Sequence, residues 1–156
     1  MIIRIAEATD ALGMTALLNM VIAKGGTTAH EAPKTEAEVL YDYIEGPDVL
    51  SAVIAEEAGT IIGWQTVGLA GGDPHIGTFV QPDLQAKGVG AALFALTLQT
   101  LRKTRTDYII AWIRADNVPG LAYYARIGFR DIGGDPGFAL QDGTVVGRIH
   151  RRLDLV

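Results

Sequence analysis

Gln85-x-x-Gly88-x-Gly90 runs straight into the helix-like stretch Ala91-Ala92-Leu93-Phe94-Ala95-Leu96. Glycines at such a junction let the main chain approach a partner that side chains would hold away. A helix start leaves several N–H groups without acceptors and carries a partial positive charge. The amides from Ala86 to Ala91, Val89 included, are therefore suited to hold a diphosphate, and Lys87 adds a full charge. The same spacing also fits an ordinary strand-to-helix turn, so taken alone it leaves both readings open. No Gly-Lys-Ser/Thr follows the glycines, which excludes a Walker loop, and the spacing is not that of a dinucleotide fingerprint.

A second stretch, Asn117-Val118-Pro119-Gly120-Leu121-Ala122-Tyr123-Tyr124-Ala125-Arg126-Ile127-Gly128-Phe129, reads as a short helix with both ends marked. Asn117 caps it, Pro119 fits its first turn and Gly128 ends it. Titratable side chains that can take a proton near neutral pH are His30 and Glu31, in the loop Gly25 to Pro33, and His75 beside Pro74. For all three, a solvated loop or strand-start side chain is the reading that their position favours. Trp64 and Trp112 fall in apolar runs and read as core, with Trp64 also a candidate for the wall of a substrate cleft.

These residues sit in a chain of 156 with 49% hydrophobic and 20% charged residues, enough to bury one core and too apolar for disorder. One domain over 1–156 is expected. A net charge of −5 argues against nucleic acid as a partner. The absence of cysteine removes disulfides, thiolate nucleophiles and thiolate-bound metals, and three histidines without His-x-x-x-His spacing make no zinc site. Arg4 and Glu7 interrupt the apolar start, so no signal peptide or membrane span is expected and the cytoplasm is the expected location.

The elements that must position the candidates follow from punctuation. A strand over 2–6 precedes a helix capped by Thr9 or Asp10 and ended by Gly25-Gly26, with Leu12, Ala16, Leu17, Met20 and Val21 as its predicted inner face. Thr35 to Glu38 forms a capping box for a second helix, stopped by Gly46-Pro47. Strands are predicted over 49–56, 61–70 and 75–80, then a helix to about Lys103, a strand over 108–113, a helix over 118–127, and strands over 129–132 and 145–153. Consecutive strands imply antiparallel pairing, and the later strand-helix-strand order implies a parallel crossover. The alternating Arg148, His150, Arg151 and Arg152 are expected to mark a sheet edge or a homodimer contact.

The pair of motifs, Gln85-x-x-Gly88-x-Gly90 followed by Asn117 and Tyr124-x-x-x-Gly128-Phe129, resembles the GNAT N-acetyltransferase superfamily, and the strand order agrees along essentially the whole chain. Thr27-Thr28-Ala29 in the interhelical loop is similar to the phosphinothricin and methionine-sulfoximine acetyltransferase branch. The resemblance implies an α/β (α+β) fold: a mixed, mostly antiparallel sheet of about seven strands, helices on both faces, splayed between its fourth and fifth strands. It implies acetyl-coenzyme A as acyl donor, with no metal, and a small-molecule amine as acceptor. Protein N-terminal or lysine acetylation, or acyl-coenzyme A sensing without turnover, are its alternatives. Phe79 and Val80 match the strand end that pairs with the pantetheine arm and polarises the thioester carbonyl. Gln85 to Ala91 match the diphosphate loop, Asn117 a contact to the cofactor arm, and Tyr124 the tyrosine near the thioester sulfur. The glutamate that members often carry early in the fourth strand has no counterpart here.

Overall fold

A computed structural model of the protein describes residues 1–28, 30–84 and 87–156. The chain runs β1 (Ile2–Ile5), α1 (Ala11–Lys24), α2 (Glu36–Val39), β2 (Val49–Glu57), β3 (Thr60–Ala70), β4 (Asp73–Val80), α3 (Val89–Leu101), β5 (Tyr108–Arg114), α4 (Val118–Arg126), β6 (Arg130–Ala139) and β7 (Val145–Asp154). The strands form one sheet in the order β1-β2-β3-β4-β5-β7-β6. Every pairing is antiparallel except β4 with β5, which is parallel.

Helices cover both faces. On one, α1 places Met14, Leu17, Leu18, Val21 and Ile22 against Ile54, Trp64 and Phe79 of the sheet. On the other, Phe94 and Leu101 of α3 and Tyr124 of α4 pack with Val67, Ile76 and Ile109. Gly25, at φ +73°, ends α1 in a conformation that side chains disfavour. Thr35 and Glu38 exchange the two predicted capping-box bonds, and the chain then continues from α2 as a π-helical stretch, Leu40–Glu45, up to Gly46.

Several expectations need correction. Leu12 and Met20 are 66% and 47% exposed, while Met14, Leu18 and Ile22 are buried in their place. The first helix is apolar nearly all round, so its spacing allowed more than one inward face. Trp112 is 48% exposed rather than core, because α1 packs on β3 and β4 and leaves the β5–β7 half of that face uncovered. Beyond its predicted end at residue 132, β6 continues to Ala139, with register shifts at Asp131/Gly133 and Asp135/Phe138. Glycine and proline are tolerated there because β6 is the sheet's edge. The basic strand β7 is not an edge: it lies between β5 and β6, and Arg148 and His150 both bind Asp135 while Arg151 binds Asp131.

Met14 ties the first core together, since its carbonyl accepts the Trp64 indole N–H at 3.1 Å and its side chain has no exposure. Met14→Ala is expected to cost about 2–5 kcal/mol, read as a lowered urea midpoint at unchanged slope.

Candidate active site

The site begins where β4 and β5 part. Among the described residues their one pairing is His75 with Ile110, near the start of β4, so the strands diverge towards Val80. Val80 is the register partner of Gly63, and the next residue, Gln81, donates its N–H to Ile62 O at 2.9 Å. Successive N–H groups in a strand point to opposite sides, so the Val80 N–H faces away from β3 and into the gap. Phe79 turns its ring the other way, onto Trp64.

A cavity of about 600 Å³ opens at this gap; its lining includes Thr78, Phe79, Val80, Gly88, Gly90 and Tyr124. Asn117, Arg126 and Ala91 also reach it, as do Thr27 and Thr28 from the loop after α1. The two glycines at its mouth serve different ends. Gly88 is the residue before α3 and sits at φ +84°, ψ 2°, a left-handed conformation with open space where a side chain would go. Gly90 is already helical, and a Cβ there would lie 2.7 Å from the Tyr123 ring. The first glycine allows the turn; the second makes room for an aromatic ring. Lys87 is exposed beside them and the Val89 side chain is buried; neither residue lines the cavity. Gln85 and Ala86, also expected at the diphosphate, lie outside the described residues.

Asn117 does two tasks. Its Oδ1 accepts the Gly120 N–H at 3.0 Å, capping α4, and its Nδ2 donates to Thr27 O at 3.1 Å. Arg114 gives a parallel tether, donating to Thr28 O at 3.0 Å while its other nitrogens hold Asp116. Glu31 adds a third tie by accepting the Gln141 N–H at 2.8 Å. The loop between α1 and α2 is thus pinned across one side of the cavity.

Tyr124 is buried, edge-on to Tyr123 and Phe129, and its hydroxyl lies 2.9 Å from Thr78 Oγ1. Burial pushes its phenol far up and the Thr78 hydrogen bond pulls it partly back. Tyr123 donates to Gly90 O at 2.8 Å and accepts from Gln65 Nε2 at 3.0 Å. Neither Tyr123, Thr78 nor Gln65 stood out in the sequence. A glutamine inside the apolar run Ile61-Ile62-Gly63-Trp64-Gln65 was the available signal, since a buried amide must find partners.

His30 sits half-buried on the same loop, its Nε2 3.2 Å from the Tyr43 hydroxyl, and Tyr43 packs in turn on Trp64. Burial, with Lys34 nearby, holds its imidazole below the usual range, against the opposing effect of Asp42. Like His30, His75 does not line the cavity. It meets the edge of Trp112, whose face stacks on His150, and burial lowers its imidazole too. Trp64 is a correction: it is wholly buried under Phe79, with its indole N–H spent on Met14, and does not line the cavity.

Comparison with known proteins agrees with this geometry. Residues 16–129 match the family model described as the Acetyltransferase (GNAT) family. The chain is 36% identical over 86 residues, 54% of its length, to a mycothiol acetyltransferase of Clavibacter sepedonicus, and that match spans only 28% of the longer protein. It is 26% identical over 150 residues, 92% of each chain, to a Bacillus subtilis (strain 168) protein named "Putative phosphinothricin acetyltransferase YwnH". A Sinorhizobium meliloti GNAT superfamily phosphinothricin acetyltransferase, solved in complex with AcCoA, shares the fold at a TM-score of 0.83 and 20% identity, over 98% of this chain and 87% of that one. With the predicted splayed sheet, the glycine turn into α3 and a family match over most of its length, the chain belongs to the GNAT acetyltransferase family.

Proposed function

We propose that the protein transfers an acetyl group from acetyl-coenzyme A to the primary amine of a small, amino-acid-like acceptor by direct attack. The observation that carries this reading is the Val80 N–H turned into the gap between β4 and β5, on a cavity that the start of α3 also lines. The residues present fit the donor. The turn at Gly88 leaves the first amides of α3 free to meet a diphosphate, and the apolar cavity wall suits an extended arm. The pinned loop after α1 favours a small acceptor over a peptide, which needs an open groove.

Acetyl-coenzyme A supplies a thioester carbonyl held by a thiol leaving group. The main chain from Gly88 to Ala91, with Lys87, holds the diphosphate; the Gln85 and Ala86 amides belong to the same proposal. Phe79 and Val80 align the arm, Asn117 borders it, and the Val80 N–H stabilises negative charge gathering on the carbonyl oxygen. Tyr124 gives its proton to the departing sulfur. His30, neutral at pH 7 because burial disfavours its cation, takes the proton that the amine must lose. In the tautomer that gives Nε2–H to Tyr43, the lone pair on Nδ1 is left to do so. A covalent enzyme intermediate is not required.

The test is thiol release from acetyl-coenzyme A across the proteinogenic amino acids and phosphinothricin. Acceptor-dependent release supports the reading; saturable binding with no release from any amine overturns it in favour of a sensor. In the best acceptor's assay, His30→Gln is expected to lower kcat/KM by about 10²-fold. It is also expected to abolish the decline in kcat/KM on the acid side. That decline lies below the ordinary histidine value of about 6.5, because a depressed imidazole keeps its lone pair until the pH falls further.

A further inference from the structure

A buried side-chain network lies behind Tyr124, and the direction of each of its hydrogen bonds can be worked out. It starts from a group with no choice. The Gly90 carbonyl only accepts, so the Tyr123 hydroxyl, 2.8 Å away, spends its proton there. The Tyr123 oxygen must then accept from the Gln65 amide nitrogen at 3.0 Å. That fixes the orientation of the amide: its oxygen takes the Thr97 hydroxyl proton at 2.6 Å. Its second N–H goes to Thr78 Oγ1 at 2.9 Å. Gln65 and Thr97 have no exposure at all, so water does not offer them another arrangement. Thr78 Oγ1 therefore accepts from Gln65 and still has its own proton to give. The hydroxyl of Tyr124, 2.9 Å off, is placed to take it.

We infer that Thr78, oriented by Gln65, donates its proton to the Tyr124 oxygen and so leaves the Tyr124 proton directed into the cavity. Thr78 and Gln65 are positioning residues for the acid step, and the inference rests on the proposed role of Tyr124 as that acid. When the carbon–sulfur bond breaks, its electron pair stays on sulfur and takes the Tyr124 proton. The phenolate left behind keeps the Thr78 hydrogen bond, which is stronger to a charged oxygen. It recovers a proton from solvent through the cavity, while the proton of the neutral amine passes by way of His30 to solvent; counted from the neutral amine, one proton is released for each one taken up, and an ammonium acceptor releases one more. Were the bond reversed, with Tyr124 donating to Thr78, the phenol proton would be turned away from the cavity. The lowering that Thr78 exerts on the phenol, against the effect of burial, agrees with a bond donated to the phenolate.

The test combines a spectroscopic readout on the ligand-free protein with kinetics using the best acceptor of the amine panel. Tyrosine is labelled with carbon-13 at Cζ, and the Tyr124 resonance is assigned by its loss in Tyr124→Phe. Removing a bond that the phenol oxygen accepts moves this resonance toward the phenolate position; removing one that it donates moves it the other way. Thr78→Val is expected to move it toward the phenolate position, and Thr78→Ser to restore it. In kinetics, Thr78→Val is expected to lower kcat about tenfold with KM for acetyl-coenzyme A within about twofold. Thr78→Ser is expected to recover most of the rate, and Thr78→Val to add little in a Tyr124→Phe background. No movement of the resonance, movement in the opposite sense, or an unchanged kcat in Thr78→Val would overturn the inference. An unchanged kcat in Tyr124→Phe would instead remove Tyr124 from the acid step, while the resonance still reports the direction of the bond. If Thr78→Val lowers the melting temperature too far to assay, Thr78→Ala takes its place and is read by the same sense of movement.

Discussion

Tyr124→Phe is expected to lower kcat by about 10²-fold or more while the affinity for coenzyme A changes by less than about twofold. The substitution removes one oxygen and leaves the ring in place against Tyr123 and Phe129, so the packing of α4 on the sheet survives. What disappears is the proton for the departing thiolate, an interaction needed only as the carbon–sulfur bond breaks, and such a loss falls on kcat instead of on binding. The neighbouring Tyr123→Phe should behave differently. Its hydroxyl binds Gly90 O and Gln65 Nε2, so its removal loosens the start of α3 and is expected to appear first as weaker coenzyme A binding. Steady-state kinetics beside calorimetric titration separate the two; an unchanged kcat in Tyr124→Phe excludes it as the acid.

The other large effect belongs to the glycines, and the structure separates them. Gly88→Ala places a side chain on a left-handed residue at φ +84°, with a cost of about 1–2 kcal/mol that relaxation would relieve by turning the first amides of α3. A roughly tenfold or greater rise in Kd for coenzyme A is expected, with kcat at saturation preserved. Gly90→Ala has no such backbone strain, since Gly90 lies within α3. Its Cβ would meet the Tyr123 ring at 2.7 Å, and the ring cannot yield without disturbing the bonds to Gly90 O and Gln65. It is therefore expected to lower kcat as well as affinity. Equal behaviour of the two variants would contradict the separate roles given to them.

Much of this architecture was legible because local punctuation carried it. Thr35 and Glu38 form the capping box their spacing implies, Asn117 caps α4, and Gly25 and Gly88 mark the two helix boundaries. The face of α1 was not legible, because apolar residues surround it and only the sheet decides that Met14 and Leu18 go in and Leu12 and Met20 stay out. Trp112 misled for a related reason: nothing local reveals which half of a sheet face a helix leaves uncovered. The network behind Tyr124 was hidden by distance along the chain. Gln65 finds Thr78 at a separation of 13 residues, Thr97 at 32 and Tyr123 at 58, and only the folded sheet brings them together. The loop ties from Arg114 and Asn117 to Thr28 and Thr27 span 86 and 90 residues and were invisible for the same reason.

In the proposed mechanism, main-chain amides at the start of α3 grip the diphosphate and thereby aim an acyl group at the Val80 N–H. Calorimetric titration of the intact chain with coenzyme A and, in parallel, with pantetheine, which lacks the diphosphate, tests it most directly. Several charge-assisted hydrogen bonds lost together predict one saturable coenzyme A site per chain and pantetheine binding weaker by about 10²-fold or more. Equal affinity for the two ligands, or no saturable coenzyme A binding by folded protein, would contradict it.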